Sequence, residues 1–284
     1  ALDGPETRIT LRRSAATVVT GTESERAARY IEVATRVLAP GSHHELNVMS
    51  AAPAHSGLGS GTQLALAVAS AVRQLHGLPQ DPDADARMLG RGGRSGIGVA
   101  SFRQGGFMVD GGRGGGKPPP PLLIRMTVPA TWRIILVHDR NYRGLAGRDE
   151  TNAFAALPPF GAERAAKVSH LLLMGALPAL VEEDLDRFGM AITRIQELLG
   201  RYFAPVQGGR FASPRVAAAL EVLAAAGATG LGQSSWGPTG FGFARDAASA
   251  EFMIGACRRS GEADGVDIEM RRARNRGALV TEVE

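Results

Sequence analysis

The chain is predicted to fold as an α+β protein in two halves, and three observations lead there. Helix-period and strand-like segments are mixed without the regular βαβ alternation of a doubly wound sheet. Two glycine-rich turns, "PAHSGLGSG" around residue 57 and "GLGQSSWGPTG" around residue 235, each stand beside apolar segments. A glycine and proline tract over 91–121 separates the earlier elements from the later ones, which places a boundary near residue 130. The expected domains are 1–130 and 131–284. With 284 residues, 44% of them hydrophobic, the chain has ample material for sizeable cores, and no internal repeat is visible.

Residues 24–38 have helical spacing, with Ser24 as N-cap and Pro40 beyond the end. "HELNVMSAAP" reads as a strand entering the first glycine turn, and 62–75 as a buried helix stopped by Gly77 and Pro79. "DADARMLGRG" is a short helix. The glycine cluster over 91–116 reads as an exposed loop, followed by the strands "LLIRMTVP" and "WRIILVHD". A helical stretch over 161–200 is expected to break at Pro178 and to supply core and a homodimer surface. "SPRVAAALEVLAAAG" is a helix capped by Ser213 and stopped by Gly227. Strand, glycine loop and strand follow, then a helix over 246–259 and the strand "VDIEMRR".

Composition excludes several functions. The single cysteine, Cys257, rules out an internal disulfide framework and a cysteine-based zinc site. The polar start "ALDGPETRIT" has no apolar signal region, so a cytoplasmic protein is expected. It lacks a methionine too, so a preceding stretch is expected. No run of some 18 apolar residues is present, so no membrane partner is expected. The net charge of +4 is mostly arginine scattered among acids, without a basic tract interleaved with aromatics, so nucleic acid is not an expected partner. His43 and His44 are neighbours on a strand and point to opposite faces, which excludes them as a metal pair.

The first glycine turn carries the chemistry. Gly57, Gly59 and Gly61 permit backbone conformations closed to other residues. The following helix aims unpaired N–H groups and its positive end at whatever lies in front. Ser56, Ser60 and Thr62 add hydroxyls, and His55 could donate to a phosphate or protonate a leaving group. Neither the Walker spacing nor the dinucleotide fingerprint is present.

Pro53-x-x-x-Gly57-Leu58-Gly59-Ser60 resembles the phosphate loop of the GHMP superfamily of small-molecule kinases. The stretch from Gly227-Ala228 to Gly237-Pro238-Thr239 resembles that superfamily's second glycine motif. The resemblance implies an N-terminal half like domain 2 of ribosomal protein S5 and a ferredoxin-like C-terminal half. In the mevalonate-kinase branch an S-G-x-D loop supplies an aspartate that takes the substrate's hydroxyl proton. Here Ser95-Gly96-Ile97-Gly98 puts glycine at that place, although homoserine kinases work without the aspartate. "HSGLGSGTQLAL", "RSGIGVASFRQGGFMVDGG" and "GQSSWGPTGFG" together resemble the β-ribofuranosylaminobenzene 5′-phosphate synthases of methanopterin biosynthesis. That resemblance implies the substrates phosphoribosyl pyrophosphate and 4-aminobenzoate, with loss of pyrophosphate and CO2. An ATP-dependent kinase and a non-catalytic binder of a phosphorylated ligand stay open as alternatives.

On this reading Ser56, Gly57, Leu58, Gly59, Ser60, Gly61 and Thr62 hold the pyrophosphate. Asp110 and Asp139 are candidate catalytic and Mg2+-binding carboxylates, because hard cations favour carboxylate oxygen. His55 joins them as a catalytic candidate, and no organic cofactor is expected. Arg94, Ser95 and Arg103 suit phosphate or carboxylate groups. Gln233, Ser234, Ser235 and Trp236 are placed to read the ribose or the benzoate, with the indole able to stack on an aromatic ring.

Overall fold

The computed structural model describes residues 1–282 apart from 55, 113–118, 143, 145–151, 154, 236 and 237. The chain divides into two compact units. One comprises 1–54, 59–127 and 274–284, and the other comprises 55–58 and 128–273.

The first unit is built on a three-stranded sheet. Strands β1 (Arg8–Arg13) and β2 (Val18–Gly21) flank β3 (His44–Ser50), β1 antiparallel and β2 parallel to it. The sequence reading missed β1 and β2, because both are short, their outward faces are mostly polar, and only Ile9, Leu11 and Val19 pack against the core. Two helices, α1 (Ser24–Leu38) and α2 (Ser60–Leu75), close that core. Leu64, Val68 and Val72 recur every four residues on α2 and pack with Ala27, Ile31 and Ala34 of α1 against Leu46 and Val48. Truncating Leu64 to alanine there would cost about 2–5 kcal/mol.

Helix α1 is not capped by Ser24. Glu23 takes the cap position with φ 56°, and its side chain pairs with Arg26 instead of accepting a helix N–H. A third helix, α3 (Pro82–Met88), starts at Asp81, whose carboxylate accepts from Ala84 N. The glycine tract read as an exposed loop contains α4 (Ile97–Gln104) and β4 (Phe107–Asp110). Val99 and Phe102 bury with Leu66 and Ala86, and β4 pairs antiparallel with β5 (Leu122–Met126), so packing overrides the glycine content. Residues 274–284 belong to this unit rather than to the second half. Gly106 N donates to Arg274 O at 2.7 Å and Ala278 N donates to Phe102 O at 2.6 Å, which ties the tail down.

The second unit holds an antiparallel sheet in the order β7-β8-β6-β9. Its strands are β6 (Arg133–Asp139), β7 (Thr229–Gln233), β8 (Thr239–Ala244) and β9 (Val266–Arg271). Ile135 and Val137 meet Val216, Leu220, Leu223, Ile254 and the buried Cys257 in one core. Those partners come from helices Pro214–Ala225 and Ala247–Ser260. The first of them starts at Ser213, whose hydroxyl accepts from Val216 N, as its sequence predicts.

The long helical stretch runs as α5 (Ala162–His170), a wider π turn over Leu171–Ala176, α6 (Leu177–Val181) and α7 (Leu185–Gln207). Pro178 lies within the continuous helical run, two residues past the π turn, and the break falls instead at Glu183, φ 56°. Residues Ala162–Val181 are long and apolar enough to cross a membrane by length and composition, although the apolar count had suggested no such segment. They are a composite of three helical pieces that opens on Glu163, Arg164 and Lys167.

Candidate phosphate loop and second glycine loop

Ser56 to Leu58 cluster with the second unit and the chain from Gly59 onward with the first. Gly57 and Gly59 adopt φ values of 80° and 74°, a left-handed conformation that admits glycine with least strain. No side chain caps α2: Gly59 is its cap residue, and Gly59 O accepts from the N–H groups of Thr62 and Gln63. The N–H groups of Ser60 and Gly61 lie ahead of the first helical carbonyl and have no intrahelical partner. Ser56 and Ser60 are buried.

The second glycine loop fastens the first part of this segment within the second unit. Ser234 Oγ donates to Gly57 O at 2.6 Å, and Thr239 Oγ1 donates to Ser56 O at 2.7 Å. Since the single Thr239 hydroxyl proton goes to Ser56, His138 must donate to that hydroxyl from Nδ1, at 3.1 Å. The sequence places Thr239 in the second glycine motif but gives it no role, because a threonine opening a strand carries no signal of this task.

Gln233 is committed to protein partners. Its Nε2 donates to Gln207 Oε1 at 3.2 Å and to Ser235 O at 2.9 Å, and its Oε1 accepts from Ala212 N at 2.6 Å. The N–H groups of Leu231 and Gln233 on the sheet's edge strand are taken by Thr193 and Gln196 of α7. These bonds hold Ser235, whose φ of 53° is rare outside glycine, at the tip of the loop. His55 and Trp236 lie outside the described residues.

In the first unit, Thr62 and Gln63 of α2 meet the first turn of α4. Gln63 Nε2 donates to Gly98 O at 2.8 Å. A Cβ on Gly98 would lie 3.1 Å from Thr62 Cγ2, tighter than ordinary van der Waals contact, so any side chain there would press on the threonine methyl. Asp110 closes the loop that leads into α4. Its carboxylate accepts from Ser95 Oγ at 2.6 Å, Gly96 N at 2.7 Å and Gly112 N at 3.1 Å. Ser95 and Arg94 are exposed. Arg103, on the last turn of α4, pairs at 2.8 Å with Asp83 of α3.

Asp139 is buried in the second unit. It accepts from Ser213 Oγ at 2.6 Å and Asn141 N at 2.9 Å, with Arg215 Nη1 at 3.7 Å. That donor set anchors the start of helix 214–225 and does not fit a cation, because two hydrogen bonds and a guanidinium already compensate the charge. Asp110 belongs to the other unit and carries three donors of its own. Among the described residues no three of His, Cys, Asp and Glu gather as a metal site.

Comparison with known proteins agrees with this architecture. The GHMP kinases N-terminal domain matches residues 24–106, and the GHMP kinases C-terminal region matches residues 176–263. L. major mevalonate kinase superposes with a TM-score of 0.71 at 14% identity, covering 96% of this chain and 87% of that one. Homoserine kinase from Cytophaga hutchinsonii superposes with a TM-score of 0.66 at 18% identity, covering 97% and 88%. The fold is that of the GHMP kinases.

Sequence narrows this to a family. A protein of Methanothermobacter thermautotrophicus named beta-ribofuranosylphenol 5′-phosphate synthase is 37% identical over 229 residues, 75% of this chain and 68% of that protein. Its namesake in Archaeoglobus fulgidus is 39% identical over 210 residues, 70% of this chain and 66% of that protein. The chain belongs to the β-ribofuranosylphenol 5′-phosphate synthase family. It spans about two thirds of the length of these two relatives.

Proposed function

We propose that the chain transfers a 5-phosphoribosyl group from phosphoribosyl pyrophosphate to a ring carbon of a 4-substituted benzoate, releasing pyrophosphate and CO2. The bond from ribose C1 to the pyrophosphate oxygen breaks and its electron pair leaves with the diphosphate. The ring carbon that bears the carboxylate, para to the electron-donating substituent, bonds to C1. The carbon–carbon bond to the carboxylate then breaks and its pair restores the aromatic ring as CO2 departs. No proton is taken from the acceptor carbon, so the reaction has no need of the base that a kinase places at the position of Gly98. The observation that carries this reading is family membership, and the glycine at position 98, which has no carboxylate to offer, agrees with it.

In this proposal the unpaired N–H groups at the start of α2, with Ser56 to Thr62, receive the diphosphate as its charge develops. Arg94 and Ser95 are proposed for the 5′-phosphate or the carboxylate, and Ser234 and Ser235 for the acceptor side. Asp110 would then shape its loop rather than bind metal. Mg2+ would enter as the counter-ion of the diphosphate, as part of the substrate. The acceptor is an aminobenzoate or a hydroxybenzoate, since the amine suggested by the sequence motifs and the phenol in the relatives' name both push electrons to the para carbon.

The test is incubation with phosphoribosyl pyrophosphate, Mg2+ and carboxyl-labelled 4-aminobenzoate or 4-hydroxybenzoate. Labelled CO2 is expected, and comparing the two acceptors at equal concentration ranks them. No release with either, together with ATP consumption on a small alcohol, would overturn the proposal in favour of a kinase.

A further inference from the structure

Two arginines that the proposed chemistry has not used lie against the first turn of α2. Arg26, from α1, has a side chain only 16% exposed. Its Nη2 donates to Ser60 Oγ at 3.4 Å, and its Nη1 stands 3.3 Å from Glu23 Oε2. Arg91, from the loop after α3, donates to the Tyr30 hydroxyl with its guanidinium carbon 5.2 Å from that ring's centroid. Its Nη1 is 3.3 Å from where a Cβ on Gly61 would sit, so the missing side chain of Gly61 lets the guanidinium lie against the helix. The Nε atoms of both arginines are buried and have no hydrogen-bond partner.

The charge balance of this spot is unusual. A helix start is positive, and cations beside it are unfavourable. The first turn of α2 has no acidic residue to offset two guanidiniums. Among the described residues no carboxylate lies within ion-pair distance of Arg91, and Glu23 serves Arg26 alone. A partly buried guanidinium placed against a helix's positive end, with no counter-charge of its own, is a costly way to hold a fold together. An oxyanion removes that cost, because planar forked donors, free N–H groups and the helix dipole all favour it.

We propose that Arg26 and Arg91 are anion-binding residues of this loop and that the group they take is the diphosphate of the donor substrate. The assignment rests on the proposed function, in which this turn receives a diphosphate. Arg91 supplies a flat, weakly hydrated charge beside Gly61. Arg26 holds Ser60 and adds the second charge, and Glu23 positions it.

Inorganic pyrophosphate is the probe, titrated calorimetrically into the full chain with Mg2+ at low salt. Wild type is expected to bind it. Arg91→Gln should weaken binding at least tenfold, Arg26→Gln by a similar factor, and Arg91→Lys should recover part of the loss. Arg91→Gln also loses the Tyr30 hydrogen bond and ring contact, so its melting temperature in phosphate-free buffer serves as a folding control. Gly61→Ala supplies a second route if Arg91→Gln folds poorly, since one added methyl displaces the guanidinium and should weaken binding with both arginines present. Undiminished pyrophosphate affinity in Arg91→Gln and Gly61→Ala, with wild type binding normally, would overturn this assignment and leave the loop's proposed role intact. Failure of wild type to bind pyrophosphate would overturn both.

Discussion

Replacing Gly98 with aspartate restores the kinase-like Ser-Gly-x-Asp pattern and so asks directly what that glycine is for. A Cβ there would stand 3.1 Å from Thr62 Cγ2, 3.2 Å from Thr62 Cβ and 3.4 Å from its hydroxyl. Overpacking of this kind costs about 1–3 kcal/mol. Removing a glycine from a helix returns about 0.5 kcal/mol when the newcomer is a modest helix former such as aspartate. The balance is a loss of about 0.5–2.5 kcal/mol, or about 1–10 °C in melting temperature for a chain of this size. Because Thr62 belongs to the first turn of α2, the same displacement should lower turnover of phosphoribosyl pyrophosphate more than tenfold. The assays are thermal unfolding and CO2 release for Gly98→Asp, Gly98→Ala and Gly98→Asp with Thr62→Ser, the last removing the crowding methyl. The reasoning predicts that the double variant regains stability and that none of the three phosphorylates an alcohol with ATP. A Gly98→Asp protein that is fully stable and fully active, or one that gains kinase activity, would refute it.

Three further outcomes follow from the same geometry. Asp139→Ala should lose about 3 kcal/mol in urea unfolding, since it strips a charged acceptor from the Ser213 hydroxyl and Asn141 N–H. Asp139→Asn should keep the Mg2+ dependence of wild type; a tenfold rise in the Mg2+ requirement would instead make Asp139 a ligand. Thr239→Val should remove the hydroxyl that bonds both Ser56 O and His138 Nδ1 and raise the KM for phosphoribosyl pyrophosphate at least tenfold, with Ser234→Ala giving a smaller rise. An unchanged KM in both would remove the second glycine loop from the site. Acid should weaken the fold through His44 and His76, whose Nε2 atoms are hydrogen-bonded at 2.9 Å. Burial holds both below the ordinary histidine value, with His76, Arg13 and His43 adding repulsion at His44 and Arg13 at His76. The unfolded chain therefore binds more protons, and this contribution is present above about pH 6.5 and lost as the pH falls below it. The urea midpoint should drop across that window, and His76→Gln should flatten the drop.

What the sequence revealed and what it hid follow from how far each signal is local. The loop at Gly57–Gly61, the four-residue apolar period of α2 and the Ser213 cap are written in a few neighbouring residues, and each forms as its chemistry dictates. The strand Arg8–Arg13 was hidden because arginines on its outer face mask an alternation of only two apolar residues. Helix Ile97–Gln104 was hidden because glycines around it read as loop, while its apolar partners Leu66 and Ala86 lie far away in the chain. The site divides in the same way. Phosphate-loop glycines were legible, since backbone conformation selects glycine on the spot. The roles of Thr239, Arg26 and Arg91 were not, because each reaches the phosphate loop from another element. Asp110 and Asp139 were candidate metal ligands because hard cations favour carboxylate oxygen, while the donors each carboxylate accepts from come partly from elements distant in the chain.

The central claim is that this GHMP fold moves a phosphoribosyl group and not a phosphoryl group. Phosphorus NMR of the full chain with phosphoribosyl pyrophosphate, Mg2+, ATP and the preferred benzoate in one tube tests it most directly. The account predicts that the donor's diphosphate signals give way to free pyrophosphate and one new phosphomonoester in equal amounts, with ATP unchanged. Appearance of ADP, with phosphoribosyl pyrophosphate left intact, would contradict it.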